Sequence, residues 1–306
     1  GVRSIQPVHE LNNKFGGTAY FQKMFDLVQA FVNAKSFFSG GDNSPDDLSS
    51  ALKGIQLDAQ KNNVQGLTPL GKVLVRKLIE RNMIVDVAHL STRSLQDTYN
   101  IAVAHRHYPL FVSHAHFRPM FRGKLIDEKK ITPETVRMVK KTGGVIGLRT
   151  GNEKQNTYSR AAVANNCHGS TRSFAQSYGL GAIGYNVPLG FASDFNGFID
   201  QLRPRYYNPS SRYGNGSEKW ACGEDTNGAE REVARAAQGN RSTYGTLSDF
   251  DIAGYAHIGF TRDVIRDLNK LGVITTNIEN SSESLLKMWD RAYDPYRVAQ
   301  PDWIDG

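Results

Sequence analysis

Gly66–Ser91 reads GLTPLGKVLVRKLIERNMIVDVAHLS. Thr68 is a good helix N-cap, and Pro69 suits the first helical position, where its missing N–H breaks no bond. Leu70, Val73, Leu74, Leu78 and Ile79 follow at helical spacing, and Asn82 ends the run. Met83–Ala88 (MIVDVA) is short and almost wholly apolar, as a strand covered on both faces should be. It stops at His89. The stretch is thus one helix feeding one buried strand, with a polar side chain at the strand's C-terminal end.

The unit recurs on both sides. Ser91 caps a helix to about Ala104, and Pro109–Ser113 (PLFVS) is a strand ending at His114. Thr132-Pro133-Glu134 opens a helix that stops at Gly143-Gly144, followed by the strand Val145–Leu148. Ser170–Tyr178 is helical, and Val187–Ser193 (VPLGFAS) is a strand ending at Asp194. Upstream, Gly1–His9 (GVRSIQPVH) is a short strand segment ending at His9. Helices are also expected over Tyr20–Phe38, within a surface excursion over Asp42–Asn63, and over Thr261–Lys270 and Ser282–Tyr293. Residues 200–250 lack periodicity and read as a long excursion.

Strands alternating with helices predict an α/β fold with a parallel sheet and crossover helices. Polar residues collect at the strands' C-terminal ends, where a (β/α)8 TIM-type barrel builds its active site. Five of the eight strands can be counted, so three more are expected upstream.

Composition agrees with a packed domain. The 306 residues are 39% hydrophobic and 22% charged, enough for a sizeable core and unlike a disordered chain. No run approaches the 18 apolar residues of a spanning helix. The net charge of +7 is dispersed. Its densest cluster, Lys129, Lys130, Arg137, Lys140 and Lys141, reads as a solvated helix face, so no nucleic-acid partner is expected. Cys167 and Cys222 form no CxxC pair, which excludes a cysteine zinc site. Both sit in Gly/Ser/Asn-rich segments that read as exposed. A Cys167–Cys222 disulfide is expected, and with it a periplasmic or secreted location.

His89 and His114 end successive strands, so their imidazoles fall within one metal's reach, with zinc the usual partner. A lone histidine at such a place is more often a hydrogen-bonded rim residue; two at equivalent positions favour a metal. Asp194, in SDFNG, is either an Asx-turn residue or a general base or proton shuttle for a metal-activated water. His9 is a third ligand or a hydrogen-bonding partner for a substrate carbonyl. His116 reads as a rim residue, and His105, His107 and His168 as surface. Gly179–Gly184 (GLGAIG) follows no strand and lacks the Lys-Ser/Thr of a phosphate loop.

The motifs GLTPLGKVLVRKLIERNMIVDVAHLS, FVSHAH, TPETVRMVKKTGGVIGL, GFASDFNG and ENSSESLLKMW, in this order, resemble the membrane dipeptidase (renal dipeptidase) family of zinc peptidases. GVRSIQPVHELNN is similar to the family segment in which a histidine touches substrate. The resemblance implies that residues 1–306 are the C-terminal part of one catalytic barrel domain, with insertions at about 15–65 and 202–247. It implies a binuclear zinc site in which His89 and His114 bind the second zinc, His9 binds substrate and Asp194 handles the proton. The family's HxD pair and bridging glutamate, which complete that site, would precede Gly1. An upstream segment or a second chain is therefore expected to complete barrel and metal site. The family's substrate-carboxylate arginine has no clean counterpart: the aligned position falls near Lys130, and Arg122, or Arg118, is the candidate. The family's DFDG is DFNG here. The implied activity is zinc-dependent hydrolysis of dipeptides or related small amides, with a homodimer as the family prior. Two other functions fit the same residues: a non-catalytic barrel relative that binds a ligand or partner, and another metal-dependent amide or lactone hydrolase.

Overall fold

Four helices begin where a hydroxyl residue precedes them. Thr68 Oγ1 accepts from the Gly71 N–H (3.0 Å) at the start of α1, Pro69–Glu80. Ser91 Oγ accepts from Ser94 N–H (3.0 Å) ahead of α2, Thr92–Ala104. Thr132 Oγ1 accepts from Thr135 N–H (3.1 Å) ahead of α3, Pro133–Lys141. Ser170 Oγ accepts from Arg172 N–H (3.2 Å) ahead of α4, Thr171–Gly179. Each cap satisfies an amide that the helix itself leaves without a partner. Among the described residues, five strands lie between and around them: β1 (Ser4–Ile5), β2 (Ile84–Asp86), β3 (Leu110–Ala115), β4 (Ile146–Arg149) and β5 (Leu189–Ala192). Helices α5 (Thr261–Lys270), α6 (Thr276–Glu279) and α7 (Ser281–Tyr293) follow.

This computed structural model describes residues 1–21, 55–121, 127–195, 199–205, 250 and 254–293. The helix expected over Tyr20–Phe38 lies almost wholly outside them, as do most of the 200–250 excursion, Arg122 and Cys222. The chain divides into two compact units. The first comprises residues 1–115, 123–146 and 283–306, and the second residues 116–122 and 147–282.

In the first unit β1, β2 and β3 pair in parallel, with Ser4 opposite Ile84, Ile5 opposite Val85, and Val85 opposite Leu110. The Val112 N–H donates to the Val145 carbonyl (3.1 Å), which brings the entry of β4 beside β3. In the second unit β4 hands on to β5, where the Thr150 N–H reaches the Ala192 carbonyl (3.3 Å). Strand order is therefore β1-β2-β3-β4-β5, each strand beside its predecessor, as in a parallel α/β sheet wound in one direction. This is the sheet expected from the sequence. β3 continues further than expected, through His114 to Ala115.

The first unit's core includes Ile84, Val145 and Met288, with Phe111 and Trp289 packed against them. α1 sits rotated from its expected setting. Its buried face is Gly71, Val75, Leu78 and Ile79, while Leu70 and Val73 are exposed. The cause is Gly71: a Cβ there would stand 1.8 Å from the Phe15 carbonyl oxygen, so only glycine lets the Phe15 backbone come this close. The Glu128 carboxylate ties the same unit together. It accepts from the backbone N–H groups of Tyr20 (2.7 Å), Asn63 (3.0 Å) and Thr92 (2.6 Å).

In the second unit, α4 continues into a wider helical turn, Leu180–Tyr185, that ends at Asn186. The GLGAIG glycines serve this turn: a Cβ on Gly181 would press on Leu189 and Phe117 at 2.8–2.9 Å. Cys167 corrects an expectation. It is buried, not exposed, because its carbonyl accepts the Ser170 hydroxyl (2.8 Å) and the segment folds onto the start of α4. It is disulfide-bonded. Among the described residues no helix is long and apolar enough to cross a membrane.

Candidate metal centre

His9 and His89 lie a few residues beyond the C-terminal ends of β1 and β2, and His114 lies near the C-terminal end of β3. β2 ends in Asp86, whose buried carboxylate accepts from the N–H groups of Ala88 and Ser113, both at 3.0 Å. Burial pushes this carboxyl up, against the lowering effect of those bonds. Asp86 thereby fixes the backbone leading to His89 and pins β3 one residue before His114. His89 has φ of 65°, a left-handed conformation that costs a non-glycine residue free energy. It is held there by its neighbours: its carbonyl accepts from Ala19 N–H (2.7 Å) and from the Thr18 hydroxyl (3.2 Å). The same hydroxyl contacts the His9 carbonyl, so Thr18 links both histidine backbones.

The three rings meet. His89 Nε2 lies 2.8 Å from His114 Nε2, and the His9 and His89 ring centroids are 4.3 Å apart. His114 Nδ1 is 2.8 Å from the Ser113 hydroxyl. On the opposite edge of His89, Nδ1 is 3.4 Å from Glu10 Oε1, and the Lys129 ammonium is 3.4 Å from that same oxygen. His9 is exposed, His114 half-buried and His89 buried. His9, Glu10 and His89 can each offer a ligand atom, all within 4.8 Å of one another.

The donor chemistry suits zinc, which takes imidazole nitrogen and carboxylate oxygen. Two ligands on one tetrahedral zinc, each bound at 2.0–2.1 Å, stand about 3.3 Å apart. The His89–His114 pair must open by roughly half an ångström to reach that spacing. A half-buried His114 at a strand end has room for such a shift.

Asp194 belongs to the second unit. It follows β5 at φ of 50°, again left-handed. Arg149, the last residue of β4, points Nε at Asp194 (3.9 Å) and Nη2 at Glu153 (3.9 Å). Glu153 in turn meets His116 at 3.1 Å. Burial alone would raise the Glu153 carboxyl, but His116 and then Arg149 outweigh it and hold it at about 2. His116 is therefore not a rim residue: it is buried, packed edge-on against Phe121 and paired with an acid.

Of the residues singled out from sequence, His9, His89 and His114 come together in the first unit. Asp194 lies in the second, and Arg122 lies outside the described residues. Glu10, Arg149 and Glu153 were not anticipated. Glu10 carried a signal, since it directly follows His9 at a strand's functional end.

Residues 47–198 match the family model described as membrane dipeptidase, peptidase family M19. No curated protein sequence matches the chain. Among solved structures, an amidohydrolase from Pseudomonas aeruginosa is similar at 14% identity and a TM-score of 0.42, over 74% of this chain and 58% of that one. The probable dipeptidase PvdM from the same organism is similar at 15% identity and a TM-score of 0.33, over 74% and 55%. A metallopeptidase from Rhodobacter sphaeroides, liganded with a phosphinate mimic of the dipeptide L-Ala-D-Ala, is similar at 16% identity and a TM-score of 0.33, over 58% and 42%. The chain thus spans between 42% and 58% of the length of these structures. The family match covers the strands that carry His89, His114 and Asp194, and residues 47–198 belong to the membrane dipeptidase family, peptidase family M19.

Proposed function

We propose that this chain is the C-terminal part of a zinc-dependent hydrolase that cleaves dipeptides or related small amides. The observation that supports it is the meeting of His89 and His114 Nε2 atoms at the ends of neighbouring parallel strands, inside the family-matched segment. His89 and His114 would hold the zinc. When bound, zinc supplies Lewis acidity and lowers the pKa of water into the neutral range. His9, exposed beside His89, hydrogen-bonds the substrate carbonyl through its ring. The Asp194 carboxylate accepts the proton of the attacking water and returns it to the leaving amine. Arg122 holds the substrate's terminal carboxylate by the bidentate contact that arginine favours. HxD and glutamate ligands from an upstream segment or second chain complete the zinc site. The disulfide at Cys167 supports a periplasmic or secreted location.

The test is hydrolysis of a panel of dipeptides, D-residue dipeptides and lactones by the protein carrying this chain, with zinc supplied. Chelator-sensitive dipeptide cleavage that His114→Ala abolishes supports the assignment. Full activity in His114→Ala, or cleavage confined to lactones, overturns it.

A further inference from the structure

We infer that Glu10 is a positioning residue for His89: its carboxylate keeps the ring proton on Nδ1 and so leaves the Nε2 lone pair for the metal. The inference rests on the dipeptidase reading, in which His89 and His114 hold the zinc, and adds the group that orients one of these ligands.

A carboxylate only accepts hydrogen bonds, an ammonium only donates, and a neutral imidazole donates from one nitrogen and accepts at the other. Glu10 Oε1 stands 3.4 Å from His89 Nδ1 and 3.4 Å from the Lys129 ammonium. The first contact is a little longer than an ordinary hydrogen bond. At that distance a carboxylate still repels a lone pair and attracts an N–H, so it selects the Nδ1–H tautomer. The His89 side chain is 5% exposed, so little solvent screens the preference. Lys129 holds the same Glu10 oxygen, and its ammonium lies 4.2 Å from the centre of the Phe21 ring.

That proton sets the direction of the whole row. With Nδ1 protonated, His89 Nε2 accepts, so His114 Nε2 is the donor in their 2.8 Å contact. His114 Nδ1 then accepts from the Ser113 hydroxyl, also at 2.8 Å. From Ser113 through His114 and His89, every donor points toward Glu10. The two histidines differ in how firmly they are set. A hydroxyl donates or accepts by rotating, so Ser113 lets the His114 proton stand on either nitrogen. Glu10 gives His89 no such choice. Metal binding takes both Nε2 lone pairs. That of His89 is ready, and that of His114 is freed when its proton stands on Nδ1 and the Ser113 oxygen accepts it. Ligand histidines commonly give their second N–H to a carboxylate in this way, and loss of such a partner costs about 10–100-fold in metal affinity.

The experiment uses the metal-free protein carrying this chain, with isotope-labelled histidine nitrogens. Long-range proton–nitrogen NMR spectra at about pH 8, above the ordinary histidine range, give the tautomer of each ring. His89 is identified by the signals missing from His89→Gln. The parent, Glu10→Ala and Glu10→Gln are then titrated with Co2+ alone in a calorimeter, with circular dichroism and the unfolding midpoint establishing that each is folded. His89 should be Nδ1–H in the parent and should gain the Nε2–H form in Glu10→Ala. Co2+ affinity should fall about 10–100-fold in Glu10→Ala and by less in Glu10→Gln, which keeps an acceptor oxygen without its charge. A structural role alone would lower the midpoint and leave the tautomer as it is. An Nε2–H His89 in the parent overturns the inference. So does an unchanged tautomer, or a loss below about tenfold, in folded Glu10→Ala. Neither result touches the dipeptidase reading. A parent that binds no Co2+ overturns that reading instead, while the parent's tautomer, which needs neither metal nor variant, still decides whether Glu10 orients His89.

Discussion

His89, three residues past the end of β2, and His114, on the neighbouring parallel strand β3, face one another through their Nε2 atoms at 2.8 Å. The Asp86 carboxylate sets this geometry by accepting from the N–H groups of Ala88, just past β2, and of Ser113, on β3. The pair is thus positioned by backbone, not by the rings themselves. His114→Ala should leave the fold in place, removing the ring's hydrogen bonds to His89 and Ser113, each worth about 1 kcal/mol. It should lower zinc-dependent hydrolysis by about a hundredfold or more, the loss expected when a metal ligand and not an outer partner is removed. Steady-state rates with and without added zinc, alongside a thermal unfolding curve, test both halves.

Asp194 occupies a left-handed backbone position, φ 50°, where asparagine is also well tolerated. Asp194→Asn is therefore a clean chemical change: shape and backbone remain, and the proton-accepting oxygen is lost. kcat should fall by about 10²–10⁴, with KM altered only a few-fold. A large rise in KM at unchanged kcat would instead mark Asp194 as a substrate-binding group.

Glu153 links acid stability to the second unit. Its carboxyl is held at about 2, below the ordinary 4.5, by His116 and Arg149 acting against burial. A depressed folded pKa contributes stability that is fully present above about pH 4.5 and is lost as pH falls toward about 2. The unfolding free energy should drop across that window in the parent chain, and the drop should be shallower in Glu153→Gln. Denaturant midpoints measured from pH 5 down to pH 2.5 give the slope directly.

Strand order and the three histidines were legible because each rests on local chemistry. A short apolar run bounded by a cap and ended by a polar residue describes β2 and β3 without any knowledge of their neighbours. Glu10 and Lys129 are different: they meet across 119 residues, and no periodicity connects them. Arg149 and Glu153 were hidden for a related reason, since a charged residue in a loop is ordinary until its partner is seen. The rotation of α1 depended on a backbone approach at Gly71 that hydrophobic spacing does not register. Cys167 was misjudged because a Ser/Gly/Asn-rich segment reads as exposed, whereas these hydroxyls were engaged in capping α4.

Arg205 and Asp267 carry the largest stability prediction. Asp267, on α5, is 2% exposed and accepts from Arg205 Nε at 2.8 Å, with a second contact from Nη2 and a third from the Thr171 hydroxyl. The fork geometry satisfies both carboxylate oxygens, and the hydroxyl joins α4 to α5 through the same acid. A buried pair of this kind gains little over a well-packed apolar pair, because both charges were first removed from water. Breaking it is another matter, since Arg205→Ala strands a carboxylate in the interior. The loss should be about 3–5 kcal/mol, read as a lower urea midpoint at unchanged slope. The double change Arg205→Met with Asp267→Leu should recover most of it, because no buried charge remains to be compensated. A loss below about 1 kcal/mol in Arg205→Ala would place this pair with solvent-screened surface ion pairs and remove it from the forces that dock α5 on α4.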